Sequence, residues 1–356
     1  MPNIIMDRIK NNKFSIIAEI GVNYYDIASK FRISNIDAAK LMIKEAKKAG
    51  IHAVKFQTYK ANTLAVKNSP YYWDISEEST TSQYELFKKF DSFGYDEYKT
   101  LFDYCNEVDI EFLSTPFDFE SADYLFELMN IYKISSSDLN NIPFIEYQSK
   151  KNKPIILSVG ASNLEEIIEA VKIIRKYNDK QIVLMHCVLE YPTPYQHANL
   201  NKIITLAKYF KDIVIGYSDH TKPDKNYDVI KTAYNFGAVV IEKHFTLDKN
   251  IKGNDHYHAM DPEDAKSIID SIEFIDKIRG SYDVSCIETE KMARINARRS
   301  LVASVDIKAG ETIKEEMITF KRPGTGIPPN KIYNIIGKTA RKNITADSIL
   351  FEDMFE

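Results

Sequence analysis

Cysteine and long apolar runs are scarce in this sequence, and each absence excludes a class of protein. Only Cys105, Cys187 and Cys286 occur among 356 residues. An odd number of cysteines so far apart does not predict a disulfide framework and fits a reducing compartment. No stretch approaches the roughly 20 apolar residues that span a bilayer, and the first residues lack the apolar core of a signal peptide. We therefore expect a cytoplasmic protein with no membrane partner.

An excess of one charge is also missing. The 47 basic and 51 acidic residues give a net charge of −4, and the basic residues are scattered rather than gathered into stripes. Nucleic acid is therefore not an expected partner. What the chain does have is an apolar content of 44%, which is enough for a substantial core and argues against large-scale disorder.

Short β-branched segments alternate with amphipathic helical segments through the first two-thirds of the chain. The eight predicted strands are 14–22, 52–59, 111–117, 132–138, 154–160, 181–187, 212–219 and 239–245. Eight such units predict a closed (β/α)8 barrel of the TIM type rather than an open sheet. One helix is expected to begin after Asn163, with Glu166 completing a capping box. The segment 60–92 is long enough to predict a lid or a mobile segment.

The pattern changes after the last predicted helix of the barrel, near Arg279. We expect a catalytic barrel domain over 1–280, a polar linker over 281–298 and a small β-rich domain over 299–356. The Gly-x-Gly within PGTGIPP (323–329) follows no βαβ unit, so it does not predict dinucleotide binding.

Polar side chains gather where the predicted strands end. They are Glu19, Lys55, Gln57, Ser114, Thr115, Lys133, Ser136, Asp138, Ser158, His186, Ser218, Asp219, His220, Lys243 and His244. The loops that follow the strands of a barrel converge at one rim, and polar residues there are typical of a catalytic site. The sequence therefore predicts one site to which all eight strands contribute.

Lys55 and Lys133 are candidates for an anion site, because an inward lysine is costly to desolvate unless an anion compensates it. Phosphate and carboxylate on one small molecule would engage both ammonium groups. The hydroxyls of Thr115, Ser136 and Ser158, with that of Ser218, would donate hydrogen bonds to it. A pair of salt bridges at the rim is the structural alternative, and the sequence leaves both open.

His220 and His244 end neighbouring strands, which suits a divalent metal whose shell water and a carboxylate complete. Asp255, His256 and His258 follow in the next loop and strengthen this hypothesis over that of a purely structural histidine. Glu19 and Asp138 are candidates for a general base or for orienting water, although rim carboxylates often only pair with lysines. Cys187 is expected to be an apolar core thiol rather than a nucleophile.

Taken in order, the motifs resemble the sialic acid synthase family from about residue 14 to the end of the chain. They are AEIGVN, KFQT, STPFD, PIILS, YPTP, IGYSDHT, VIEKHFTLD and KRPGTGIPP. The resemblance implies an antifreeze-like (SAF) domain in the tail, without ice binding. It implies condensation of phosphoenolpyruvate with an open-chain N-acetylmannosamine-like sugar, which yields a nonulosonic acid and phosphate. A divalent ion is implied as cofactor, Mn2+ before Mg2+ or Co2+.

The resemblance also implies a role for individual positions. His220 and His244 match the metal ligands. The phosphoenolpyruvate site is matched by Lys55, Thr115, Lys133, Ser136, Ser158 and Ser218. Asp138 matches a carboxylate, usually Glu, that positions or deprotonates water. Gln57 and Asp255 match residues that contact the sugar. Glu19 matches a polar contact near the reacting centre, and Tyr191 matches part of the pocket wall. Arg322 matches an arginine that the small domain contributes to the site of the other subunit, which implies a domain-swapped homodimer.

Several positions depart from the family pattern on the sugar side. Tyr24 and Tyr25 replace the usual His-Asn, Leu189 stands where Asn is common, and HxAS after Asp255 becomes HYHA (256–259). A legionaminic or pseudaminic acid synthase that uses a 6-deoxy diacetamido sugar is therefore the alternative function. A non-catalytic sugar- or phosphate-binding protein is a further alternative, opposed by the presence of both lysines, both histidines and Arg322.

Overall fold

A computed structural model describes residues 3–253 and 255–356. The chain divides into two compact units, Met1–Arg279 and Gly280–Glu356. Within the described residues, no helix has the length and apolar character that a membrane crossing requires. The three cysteines are unpaired.

The first unit is a barrel of eight parallel strands. The strands are β1 (Ser15–Gly21), β2 (Ala53–Thr58), β3 (Glu111–Pro116), β4 (Tyr132–Ile134), β5 (Ile155–Ser158), β6 (Ile182–Cys187), β7 (Val214–Asp219) and β8 (Val240–His244). Their hydrogen-bonded order is β3-β2-β1-β8-β7-β6-β5-β4. The two end strands, β3 and β4, lie against each other without a ladder between their described residues. The predicted (β/α)8 barrel is thus confirmed as a nearly closed one.

Helices follow the strands and form the outer layer. They are α1 (Ile4–Lys10), α2 (Tyr24–Phe31), α3 (Asn35–Lys48), α4 (Ala61–Leu64), α5 (Gln83–Lys89), α6 (Tyr95–Glu107), α7 (Phe119–Tyr124), α8 (Ile142–Ser149), α9 (Leu164–Tyr177), α10 (Asn201–Tyr209), α11 (Asp228–Asn235) and α12 (Pro262–Arg279). The expected capping box opens α9, where the Asn163 amide donates to Glu166 Oε2 at 2.7 Å. Short helices α4 and α5 lie within the segment 60–92, for which the sequence predicts a lid or a mobile segment.

The barrel has two apolar layers, one outside and one inside the strands. The outer layer packs the strands against the helices. The inner layer fills the N-terminal half of the barrel and includes Ile17, Leu113, Ile156, Val183, Met185 and Val240, with Ile5 and Met6 of α1 closing that end. Side chains alternate across a strand, so the next inward position after each floor residue points to the C-terminal half.

The second unit begins with a segment that was expected to be a plain linker but contains the helix α13 (Lys291–Ala297). Strands β9 (Ser300–Ala303) and β10 (Ile318–Lys321) pair antiparallel beside a small core that includes Leu301, Ile307 and Leu350. A Cβ on Gly326 would lie 2.3 Å from Ile349 Cγ2 and 2.5 Å from the Leu350 carbonyl oxygen. Close packing within the unit therefore explains this glycine of the Gly-x-Gly.

Candidate active site

A cavity of about 430 Å³ opens at the C-terminal ends of the strands. Most of the predicted site residues line it: Glu19, Lys55, Gln57, Thr115, Lys133, Ser136, Ser158, Tyr191, Ser218, His220 and His244. They come together because parallel strands at one level present their inward side chains to the same space. Glu19, for example, is in register with Lys55 on β2 and with His244 on β8.

Both lysines belong to a buried cluster of four charges. Lys55 Nζ lies 2.5 Å from Glu19 Oε2 and 3.8 Å from Glu242 Oε2. Lys133 Nζ lies 3.8 Å from Glu242 Oε1 and donates to Ser158 Oγ at 2.7 Å. The two alternatives left open by the sequence thus coincide, because both ammonium groups have carboxylate partners and both also line the cavity.

The charges in this cluster shift one another's pKa values. Burial alone would lower the pKa of Lys55, but the carboxylates of Glu19 and Glu242 raise it on balance. Burial lowers the pKa of Lys133. Burial raises the pKa of Glu19, which Lys55 only partly offsets. Burial would also raise the pKa of Glu242, yet Lys133 and Lys55 hold it below its ordinary value.

Glu242 is the site residue that the sequence analysis missed. It bridges the two lysines and accepts a hydrogen bond from Ser218 Oγ at 3.0 Å. Strand alternation was the signal that could have found it, because His244 faces inward and Glu242 lies two residues before it on β8. The same parity explains why Lys243, between them, does not face the cavity.

Four strand-end residues from the sequence analysis point away from the cavity. Ser114 shares a hydrogen bond of 2.6 Å with Thr58, and His186 Nε2 contacts the Ala198 carbonyl oxygen at 2.9 Å. Lys243 Nζ donates to Asp219 Oδ2 at 2.6 Å in a fully buried pair. These contacts tie strands and loops together outside the barrel. Cys187 was expected to be a core thiol, but it lines the cavity. Its Sγ lies 3.0 Å from Ser136 Oγ.

His220 is held in one tautomer. Its Nδ1 lies 2.6 Å from the Val188 carbonyl oxygen, and because a carbonyl oxygen only accepts, Nδ1 carries the proton and Nε2 is free of one. Burial lowers the pKa of His220 to about 4. A neutral imidazole whose second nitrogen is fixed by a carbonyl is the form that binds a metal. The Tyr191 ring covers it at a centroid distance of 4.3 Å.

Next to His220, a second group of side chains has the composition of a metal site. The ligand atoms of His244, Asp255 and His258 all lie within 4.8 Å of one another, and all three residues are buried. Burial, with the neighbouring imidazoles, holds the pKa of His244 well below its ordinary value, and that of His258 is also well below it, chiefly through burial. Two neutral imidazoles and a carboxylate fit a divalent transition-metal ion.

The remaining predicted residues lie outside the first cavity. Asp138 lines an adjoining cavity of about 850 Å³, together with Tyr59, Leu64, Tyr72, Gln83, Phe87, Phe117, Ser135, Ser137, Leu189, Tyr191 and Gln57. Its Oδ2 is buried and has no hydrogen-bond partner within the described part of the chain, and burial raises its pKa. Arg322 lies in the second unit, just after β10, where it is exposed.

Comparison with known proteins places this chain among relatives of similar length. A model of the NeuB family matches residues 42–283, and a model of the SAF domain matches residues 298–356. N,N'-diacetyllegionaminic acid synthase of Legionella pneumophila is 37% identical over 349 residues, 96% of this chain and 94% of that one. N-acetylneuraminate-9-phosphate synthase of Mus musculus is 32% identical over 347 residues, 96% and 92% of the two chains.

A solved structure of a protein with a similar sequence has the same fold. The N-acetylneuraminic acid (sialic acid) synthetase of Leptospira borgpetersenii superimposes with a TM-score of 0.67 at 31% identity, covering 80% of this chain and 90% of that one. Both units of the fold therefore have counterparts among the relatives, as the family models show.

Proposed function

The chain belongs to the NeuB family, and from this premise we propose that it condenses phosphoenolpyruvate with an open-chain N-acylated amino sugar to give a nonulosonic acid and phosphate. Family membership makes the chain a condensation enzyme of the transferase type. The observation that carries the proposal is the cavity itself. It combines two buried ammonium groups and several hydroxyls with imidazoles on the neighbouring strand ends.

In this proposal, Lys55 and Lys133 bind the carboxylate and phosphate of phosphoenolpyruvate. The hydroxyls of Thr115, Ser136, Ser158 and Ser218 donate hydrogen bonds to the same oxygens. Lys55 Nζ already lies 3.2 Å from Thr115 Oγ1, so cation and hydroxyl converge on one region. Glu19 and Glu242 hold the two lysine side chains in place before the substrate arrives, and their charges raise the pKa of Lys55.

The reaction joins C3 of phosphoenolpyruvate to the aldehyde carbon of the sugar, and the aldehyde oxygen takes up a proton to become a hydroxyl. Water adds to C2 and loses a proton. Phosphate then leaves by cleavage of the bond between C2 and its bridging oxygen, while the new C2 hydroxyl gives up its proton to the departing phosphate and becomes the ketone. A divalent ion held by the histidines would polarise the aldehyde as a Lewis acid. Asp138 has a buried oxygen without a hydrogen bond to any described residue, and in this proposal it positions the water and takes its proton.

Leu189, which stands where the family pattern commonly has Asn, lines the adjoining cavity and favours an acceptor with fewer hydroxyl groups. The rest of the wall mixes hydroxyl, amide and apolar side chains, and Asp138 is the one charged residue among the described residues that line it. None of these lining residues would offer a cation to a sugar 6-phosphate. We therefore propose a 6-deoxy diacetamido sugar, as for legionaminic acid, as a second candidate acceptor beside N-acetylmannosamine.

Phosphate release tests the proposal. The protein is incubated with phosphoenolpyruvate, Mn2+ and one of three acceptors: N-acetylmannosamine, its 6-phosphate, or the 6-deoxy diacetamido sugar. We expect phosphate together with a product whose mass equals the acceptor plus a pyruvate unit, and less of both with the 6-phosphate. Absence of both with every acceptor would refute the proposed function.

Arg322 and the homodimer remain predictions from the sequence resemblance. Two inactive variants, Arg322→Ala and His220→Ala, are mixed under conditions that allow subunit exchange. If Arg322 serves the other subunit, one site in each mixed dimer keeps both residues, so partial activity returns. If it serves its own subunit, mixing restores nothing.

A further inference from the structure

His258 is a residue of this chain that the motif comparison does not account for. It follows Asp255 by three residues in the loop after β8. A polar ring at a position that is 0% exposed needs a physical reason, because burying a polar group without a partner is destabilising.

Neither ring nitrogen of His258 has a hydrogen-bond partner among the described residues. His244 Nδ1 is in the same state. The carboxylate of Asp255 lies between the two rings, with Oδ2 3.7 Å from His244 Nδ1 and Oδ1 3.9 Å from His258 Nε2. These separations are too long for hydrogen bonds. The unpaired nitrogens of His244 and His258 thus converge with the Asp255 carboxylate, and a metal ion between them would accept a lone pair from each of the three groups.

The loop that carries Asp255 and His258 is fixed at both ends. Its far end runs back beside β8, where the Met260 amide donates to the His244 carbonyl at 2.8 Å and the Thr246 amide donates to the Met260 carbonyl at 3.0 Å. This pairing brings His258 next to His244, with ring centroids 5.0 Å apart.

A second histidine locks the middle of the loop. His256 Nδ1 lies 2.7 Å from Thr246 Oγ1 and its Nε2 lies 3.1 Å from Asp26 Oδ2 on α2. Gly253 has φ of 155°, and a Cβ there would lie 3.1 Å from His256 Cδ2. The two histidines of this loop therefore differ sharply: His256 has both nitrogens engaged, and His258 has neither.

We propose that His258 is a metal ligand, and that it binds a divalent ion together with His244 and Asp255. This inference rests on the proposed function, because it concerns the divalent ion that the proposed reaction uses. Two imidazole ligands favour Co2+ and Zn2+ over ions that prefer oxygen ligands, such as Mg2+.

Calorimetric titration of the metal-free protein with Co2+ and, separately, Mg2+ tests the inference without turnover. We expect wild type to bind Co2+ more tightly than Mg2+. His258→Ala should weaken Co2+ binding by at least tenfold, since even residues that only support ligands contribute about 10–100-fold. Mg2+ binding should change less. The visible absorption spectrum of bound Co2+ should change in the variant, because one nitrogen ligand is lost.

His186→Gln is the matched control, since His186 is a buried histidine on the outer side of β6 whose nitrogen contacts a backbone carbonyl. It should leave Co2+ affinity and spectrum unchanged. If His258→Ala does not fold, His258→Asn is titrated in its place. Unchanged Co2+ affinity and spectrum in the folded His258 variant would overturn the inference, as would wild-type protein that binds no Co2+. Tight Co2+ binding without product formation would instead refute the proposed function alone.

Discussion

The lower and upper halves of the barrel interior are built from the same strands, two residues apart, yet their chemistry is opposite. Ile17, Leu113, Ile156 and Val240 face the floor. Two residues later on the same strands come Glu19, Thr115, Ser158 and Glu242, which face the cavity. The floor buries apolar surface and stabilises the fold, while the upper half buries charge, which costs stability unless the charges are paired. Stability and chemistry are therefore separable along each strand.

The largest expected effect comes from the upper half. His244→Ala should reduce turnover by roughly a hundredfold or more, because it removes a proposed metal ligand beside the reacting aldehyde. Thermal unfolding should change little, since Nδ1 of His244 has no hydrogen bond with the residues that the structure describes. Phosphate release and a melting curve on the same sample measure both. Excess chelator should inactivate wild type equally, and full activity in chelator would contradict the prediction.

The floor should respond in the opposite way. Leu113→Ala creates a cavity in the apolar layer and should lower the free energy of unfolding by about 2–5 kcal/mol. The apparent KM for phosphoenolpyruvate should stay unchanged at temperatures where the variant is folded. Urea unfolding and steady-state kinetics test this pair of expectations. A raised constant with unchanged stability would show that the two halves are not separable.

A smaller effect is expected for one charge of the buried cluster. Lys133→Ala should raise the apparent KM for phosphoenolpyruvate by about 10–100-fold, because one of two anion-binding groups is lost. Glu242 keeps Lys55 and Ser218 as partners, so the free energy of unfolding should fall less than in Leu113→Ala. An unchanged constant would assign Lys133 a structural role.

The smallest effect concerns Glu111, an ionisable group beside the floor. Its Oε2 accepts from the Ile5 amide at 2.7 Å, and burial raises its pKa from 4.5 to about 7. Between these pH values the folded state binds more protons than the unfolded state, so stability declines as pH rises. The slope is at most about 1.4 kcal/mol per pH unit. Glu111→Gln should remove it; identical pH profiles of the two proteins in urea unfolding would count against this interpretation.

Much of the barrel was predictable because its signals are local. Strand runs alternate with helical periodicity, and the capping box of α9 can be identified from two residues. Strand boundaries were less certain: the segment 132–138 was predicted as one strand, whereas β4 ends at Ile134 and a short 3-10 turn, Ser136–Asp138, follows. The Ser135 hydroxyl there accepts a hydrogen bond from the Ser137 amide, and such local hydrogen bonds compete with extended structure.

The site was predictable at the level of strands, and less so at the level of side chains. A motif shows that Glu242, Lys243 and His244 end a strand, and alternation shows that neighbours face opposite sides. The parity follows only once His244 is taken to face inward, because outward Lys243 is as buried as inward Glu242 when Asp219 pairs with it. Burial alone therefore did not distinguish a structural ion pair from the cavity cluster.

By itself, the sequence determined the barrel, the polar rim and the family, because strand periodicity, residue types and motif order are written along the chain. The tertiary structure alone decided that Glu242 joins two lysines from distant strands. It also decided that the loop after β8 turns back to bring His258 beside His244. The physical reason is that each of these contacts joins residues that are separated along the chain. Their distances therefore depend on how the strands and the loop between them pack.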